Sequence, residues 1–262
     1  MLKSLFKKNN PIVRTLPAGV RAYAVGDVHG RLDCLDALLA AIDADDAARG
    51  PAETHLVLIG DLIDRGPNSR GVVDRAMELV RERPHTQVLL GNHEELLLRS
   101  AKGEKQALGV FDKAGGRETL ISYGVDPDVY DHATLAEVAA LILNHVPAAH
   151  RDFLGGLEDQ VRLGDYSFVH AGVRPGVPLE HQKTTDLRWI REPFLSHKGY
   201  HGAVVVHGHT IIDQPISLPN RIGIDTGAFR SGVLTAVGLE GVSRWFLDVQ
   251  LGGSADGSPS GR

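Results

Sequence analysis

The run Ala22-Tyr23-Ala24-Val25-Gly26-Asp27-Val28-His29-Gly30 passes from apolar residues straight into a carboxylate and an imidazole flanked by glycines. The pattern returns downstream. His55-Leu56-Val57-Leu58-Ile59 leads into Gly60-Asp61-Leu62-Ile63-Asp64-Arg65-Gly66, and Gln87-Val88-Leu89-Leu90 into Gly91-Asn92-His93-Glu94. Tyr166-Ser167-Phe168-Val169 precedes His170-Ala171-Gly172, and Ala203-Val204-Val205-Val206 precedes His207-Gly208-His209-Thr210. Short apolar runs bounded by glycine read as buried strands. Asp, Asn and His residues thus collect at five strand ends, a pattern that points to two metal ions and hydrolysis of phosphate esters.

Around these runs the chain alternates. Strand-like 21–26 leads to a helical stretch over 31–43, with Leu35, Leu38, Leu39 and Ile42 on one face. Strand-like 55–60 leads to a helix over 69–82 with Val73, Ala76, Met77 and Val80 inward, and strand-like 87–91 to a helix over 93–101. The βαβαβα order implies a parallel sheet with right-handed crossovers, whose sites lie beyond the carboxyl ends of the strands. Residues 103–160 interrupt the alternation as a helical insertion, in which Thr134 and Glu137 form a capping box. From 160 onward short strands dominate: 160–163, 166–170, 203–207, 221–225, 232–238 and 242–248, mainly antiparallel. The fold class expected is α/β: two sheets packed face to face as a sandwich, with helices outside and a helical insertion. Residues 1–18 are expected to be a flexible N-terminus, 19–250 a single catalytic domain and 251–262 a disordered tail.

Bulk properties narrow the class of function. Thirty-three acidic against 28 basic side chains give a net charge of −5, which argues against a general nucleic-acid binder. No apolar run approaches the ~20 residues of a membrane span, and the basic start Met1–Lys8 runs into Asn9-Asn10-Pro11 rather than an apolar core, so no stable membrane association is expected. A single cysteine, Cys34, allows no intramolecular disulfide and fits a reducing cytoplasm.

The side chains specify the chemistry further. Asp27 and His29 stand two residues apart, a period-two spacing that would aim both at one ion. Asp61 has two oxygens with which to bridge two ions, Asn92 offers an amide oxygen, and His170 and His209 offer imidazoles. This oxygen and nitrogen set suits manganese, iron or zinc. Two divalent cations about 3.5–4 Å apart would bind phosphoryl oxygens and make a bridging water a hydroxide near neutral pH. Arg65 is placed to clamp a phosphate oxygen, His93 to act as general acid, and Asp64 to orient and charge His93.

Together these residues resemble the phosphoprotein phosphatase family of metallophosphoesterases, in particular its bacterial Ser/Thr protein phosphatases. The resemblance runs from about Arg21 to Thr235 and rests on G-D-x-H-G, G-D-x-x-D-R-G, G-N-H-E and the two histidine motifs in order. It implies Asp27, His29 and Asp61 on one metal, and Asp61, Asn92, His170 and His209 on the other, with Mn²⁺ the expected ion. It also implies His93 as acid with Asp64 behind it, Arg65 on phosphate, and Arg191 of Trp189-Ile190-Arg191 as a second phosphate arginine, with Arg188 a competitor. The implied substrate is a phosphorylated protein. The alternative is a symmetrical diadenosine tetraphosphate hydrolase. Bacterial enzymes of that kind commonly carry alanine before the arginine of the second motif, where Asp64 stands here. The toxin-binding segment and tyrosine-containing C-terminal loop of eukaryotic members are absent; Ile224-Asp225-Thr226-Gly227-Ala228-Phe229 occupies the corresponding place.

Each motif taken alone also has a plainer reading. Gly-Asp-x-His-Gly can be a strand-ending turn, and Asp64-Arg65 a turn ion pair. His207 shares a strand face with His209 but is expected outside the ligand set. Glu94 is expected to support its helix N-terminus by charge. Gly115–Gly124 either lines the site or only caps a helix. His55 and His85 have no partner pattern in the sequence.

Overall fold

The computed structural model describes residues 14–252. The chain runs β1 (Val20–Val25), α1 (Leu32–Arg49), β2 (Glu53–Leu58), α2 (Ser69–Glu82), β3 (Thr86–Val88) and α3 (Asn92–Ala101). Five helices follow: α4 (Lys105–Phe111), α5 (Arg117–Ser122), α6 (Pro127–Asp131), α7 (Leu135–His145) and α8 (Ala148–Gly155). Next come β4 (Gln160–Leu163), β5 (Tyr166–Val169), α9 (Thr184–Trp189), β6 (Val204–His207), β7 (Ile216–Ser217), β8 (Arg221–Gly223), α10 (Ala228–Ser231), β9 (Val233–Glu240) and β10 (Ser243–Gln250).

Two five-stranded sheets form, in the orders β10-β9-β1-β2-β3 and β4-β5-β6-β8-β7. β1, β2 and β3 are parallel, as their α-helical crossovers require, and β9 and β10 extend that sheet antiparallel from β1. The second sheet departs from the mainly antiparallel expectation. Its central strands β5, β6 and β8 are parallel, and only the edge strands β4 and β7 run antiparallel. The long connection from β5 to β6, which carries α9, supplies the crossover that a parallel pair needs.

Strand periodicity sorts the cores. In β1, Ala22 and Ala24 face the layer between the sheets with Val57, Phe168 and Val206. Tyr23 and Val25 face the opposite layer with Leu35, Leu38 and Leu79 of the helices. With both faces covered, strand residues are apolar throughout, which is why they read as continuous runs. Helix α1 extends to Arg49, beyond the stretch expected, with Arg49 bonded to Asp45 at 2.7 Å before Gly50. In α2 the inward residues are Val72, Val73, Ala76 and Leu79; Val80 is 41% exposed, one position off the buried stripe. The Thr134 capping box forms, with the Thr134 amide donating to Glu137 at 2.7 Å.

Of the segments expected to be flexible, 1–18 and 251–262, residues 14–18 and 251–252 belong to the described part. Leu16 is buried between the sheets, and its amide donates to Gly241. The Leu251 carbonyl accepts from Arg31 at 2.6 Å. Residues 1–13 and 253–262 lie outside the described part. No helix among the described residues is long and apolar enough to cross a membrane.

Candidate active site

The carboxyl ends of β1, β2, β5 and β6 and the start of α3 converge on a cavity of about 180 Å³. It is lined by Asp27, His29, Asp61, Asn92, His93, His209, Arg65, Arg191, Trp189, Val110 and Ala114. Among the described residues, five that are not glycine have φ in the left-handed region: His29 (45°), Asp61 (49°), Asp64 (71°), Arg65 (68°) and His209 (61°). All of them belong to the motifs. Such backbone costs on the order of 1–3 kcal/mol per residue and persists where surrounding contacts impose it.

Glu94 supplies much of that imposition. Its Oε2 accepts from the amides of Asp61 and Gly91 (both 3.0 Å), and its Oε1 from Leu62 (2.8 Å) and Ile63 (3.2 Å). Burial and the facing Asp61 raise its pKa to about 7, and the backbone donors oppose the rise. This is more than a charge at a helix end: it pins the Asp61 turn to α3. Gly91 is needed because a Cβ there would strike the Asp61 amide and carboxylate.

Around Asp61 the ligating atoms form two groups, each within 4.8 Å: His29, Asp61 and His93, and Asp61, His170 and His209. Backbone carbonyls set the tautomers. His29 Nδ1 lies 2.7 Å from the Ile63 carbonyl and His170 Nδ1 lies 3.0 Å from that of Ile59, so both protons sit on Nδ1. Burial lowers the pKa of both rings, which are therefore neutral. Their bare Nε2 atoms face the same carboxylate, at 3.6 Å (His29 to Asp61 Oδ2) and 3.4 Å (His170 to Asp61 Oδ1). His170 Nε2 also meets Asn92 Oδ1 at 2.8 Å, and His209 Nε2 is buried with no partner among the described residues. Lone pairs turned on lone pairs in a buried site fit divalent cations. Asp61 stays below the ordinary carboxylate range: burial raises it, and the surrounding histidines, His170 first, more than offset that.

Asp27 and His29 both line the cavity from the segment that follows β1. β1 ends at Val25, and the turn that follows frees the spacing from strand geometry. The Asp27 carboxylate accepts the His209 amide at 3.0 Å, and burial and then the nearby Asp225 push its pKa up. It lines the cavity, while His93 takes the third place beside His29 and Asp61.

His93 and Asp64 meet as expected, with His93 Nδ1 2.6 Å from Asp64 Oδ2. Burial lowers the His93 pKa, but the charge of Asp61 and the bond to Asp64 outweigh it, so the net shift is upward. Arg65 Nη2 donates to His93 Nε2 at 3.1 Å, and its guanidinium lies 4.7 Å from the centre of the Phe229 ring. Arg191 lines the cavity, whereas Arg188 is held by Asp159 and Glu95 outside it. His207 packs on Phe194, with Nδ1 at the Gly208 carbonyl and Nε2 at Arg221.

The sequence reading missed four contributors: Thr119, Asp225, Phe229 and the clamp role of Glu94. Gly115–Gly124 does not line the cavity but contacts the residues that shape it. The Gly115 carbonyl accepts the Arg65 amide at 3.1 Å, and Thr119 Oγ1 donates to Asp64 Oδ1 at 2.6 Å. Thr119→Val removes that donor at a fully buried position and is expected to cost about 2 kcal/mol, visible as a lower urea midpoint at unchanged m-value.

A two-sheet sandwich with paired Asp and His donors around a shared carboxylate defines a metal-dependent phosphoester hydrolase. The chain belongs to the calcineurin-like phosphoesterase family, whose description matches residues 20–220. It is 30% identical over 223 residues to serine/threonine-protein phosphatase 1 of Salmonella typhimurium, covering 83% of this chain and 91% of that one. It is 28% identical over 233 residues to an asymmetrical bis(5'-nucleosyl)-tetraphosphatase of Anoxybacillus flavithermus (81% and 88% covered). Its fold superimposes with a TM-score of 0.63 on a solved structure described as a candidate diadenosine tetraphosphatase, at 22% identity over 92% of this chain and 100% of that one.

Proposed function

We propose that the protein removes phosphate from phosphoserine and phosphothreonine in proteins, with two Mn²⁺ ions as cofactors (iron or zinc would suit the same donors), in a cytoplasmic setting. The observation that carries this reading is the His93–Asp64 pair facing Arg65 and Arg191 across a cavity of about 180 Å³. That volume takes a phosphoryl group and the side chain that bears it. A dinucleoside polyphosphate would lie mostly outside, since drug-sized ligands need roughly 300–1,000 Å³.

Asp27, His29, Asp61, Asn92, His170 and His209 would hold the two ions. When bound, the ions supply Lewis acidity at the phosphoryl oxygens and a deprotonated water as nucleophile. Arg65 and Arg191 grip the phosphoryl oxygens through their planar forks. A phosphate that draws Arg65 away frees His93 Nε2 to take up a proton from solvent and pass it to the leaving oxygen. Asp64 accepts a hydrogen bond from the Nδ1–H, which stays on the ring, and keeps the ring turned to the cavity.

The second reading, a symmetrical diadenosine tetraphosphate hydrolase, is supported by a symmetrical bis(5'-nucleosyl)-tetraphosphatase of Acidovorax that is 31% identical over 183 residues. One comparison separates them. With added Mn²⁺, kcat/KM for a phosphothreonine peptide is expected to exceed that for diadenosine tetraphosphate by at least about tenfold. A dinucleotide preference would move the protein to nucleotide hydrolysis with the same residues at work.

A further inference from the structure

Strand register gathers a second set of metal-type donors at the opposite end of β2, six residues from Asp61 by way of His55, or ~20 Å along an extended chain. Glu53 and His55 stand two apart on β2 and so share a face of the sheet. β2 and β3 are paired in parallel, with Leu56 opposite Thr86, and the Leu56 amide donates to the His85 carbonyl. That register sets His85 beside His55, their ring centres 4.7 Å apart. On the other flank β1 presents Ala22 opposite His55.

We propose that Glu53, His55 and His85 bind a divalent cation of the zinc class, at a site separate from the catalytic pocket. One ligating atom from each of the three lies within 4.8 Å of the others. His55 Nε2 is 2.9 Å from Glu53 Oε1. Two imidazoles and a carboxylate make a set that zinc takes with a fourth position open, here toward solvent, because Glu53 and His85 are exposed. Calcium and magnesium prefer all-oxygen shells and are not favoured. A surface ion pair accounts for Glu53 with His55, but it gives no reason for a second imidazole to stack against them.

The affinity has a physical ceiling. Without metal, the His55 Nε2 proton points to Glu53, and Nδ1 is buried with no partner among the described residues. Metal on Nε2 moves that proton to Nδ1, where nothing accepts it. Loss of such an outer hydrogen bond typically weakens metal binding by roughly 10- to 100-fold. The site is therefore an exchangeable one, filled at free zinc on the order of 10 µM. Once filled, it ties the start of β2 to the turn before β3.

The test is zinc content of the full chain after equilibrium dialysis at that free concentration. His85→Ala and Glu53→Ala, both at exposed positions, should each carry one zinc fewer per chain than the wild type, with Mn²⁺-supported turnover unchanged. Asp61→Asn, which disables the catalytic pocket, should keep one zinc, and Asp61→Asn/His85→Ala should keep none. In Asp61→Asn, zinc should also shift the ring-proton NMR signals of His55 and His85. Equal zinc content in wild type and His85→Ala, or no zinc on Asp61→Asn, would overturn the proposal without touching the catalytic reading.

Discussion

His93→Ala is expected to lower kcat by roughly 10²- to 10⁴-fold, the range that a positioned general acid supplies, with KM changed little. His93 is buried, its Nδ1 is committed to Asp64, and its Nε2 opens onto the cavity beside Arg65. It can act on a leaving oxygen once Arg65 has moved off Nε2. The loss should depend on the leaving group. A serine or threonine alkoxide needs a proton as the P–O bond breaks, whereas p-nitrophenolate leaves as a stabilised anion. His93→Ala should therefore be far more damaging with phosphopeptide than with p-nitrophenyl phosphate. Equal losses with both would mean that His93 serves the metal site, which its place beside His29 and Asp61 makes the sharpest competing role. Asp64→Asn separates the two roles further. Asp64 is among the groups that raise the His93 pKa, so its removal lowers that pKa. The acid form is then lost at lower pH, and the alkaline limb of the kcat/KM profile moves toward acid.

Much of this site is readable because its chemistry is written in short local strings. Gly26–Gly30, Gly60–Gly66 and Gly91–Glu94 each join a strand to a ligand-bearing turn, and glycine marks where backbones come close. What stayed hidden depends on contacts between distant segments. Thr119 reaches Asp64 from 55 residues away, and nothing around Arg117–Ser122 sets that threonine apart from a helix-surface residue. Phe229 comes to Arg65 and His29 through the turn after β8, and Asp225 to Asp27 through the same turn. The parallel order of β5, β6 and β8 was obscured because strands buried on both faces lose the alternation that reports direction and pairing. The near-miss at Val80 is of another kind. Leu79 and Val80 are both apolar, and a shift of one residue turns a helical side chain by about 100°.

The size of the Glu94→Ala effect decides between two accounts of that residue. A carboxylate that only complements a helix N-terminus is worth about 0.3–1 kcal/mol. In the structure its two oxygens satisfy four amides, those of Asp61, Leu62, Ile63 and Gly91, all in buried backbone. Each donor left without a partner costs roughly 1–3 kcal/mol, so removal should destabilise the fold by on the order of 4–6 kcal/mol after partial relaxation. Typical domains have only about 5–15 kcal/mol in total. Glu94→Ala is therefore expected to sit close to unfolding at room temperature. Glu94→Gln retains one acceptor oxygen but turns an NH₂ toward two donors, and should fall between the variant and the wild type. A chemical-denaturation series on the three proteins reads this directly. A Glu94→Ala loss under ~1 kcal/mol would return Glu94 to the simple helix-end role. A second consequence follows from where the clamp acts. It holds Asp61 at a left-handed backbone angle of 49°, and the carboxylate of that residue stands between His29 and His170. In Glu94→Gln, which should remain folded, metal affinity ought to fall along with stability even though Glu94 meets the ligand Asp61 only at its backbone amide. Global unfolding alone would not produce that pairing below the denaturation midpoint.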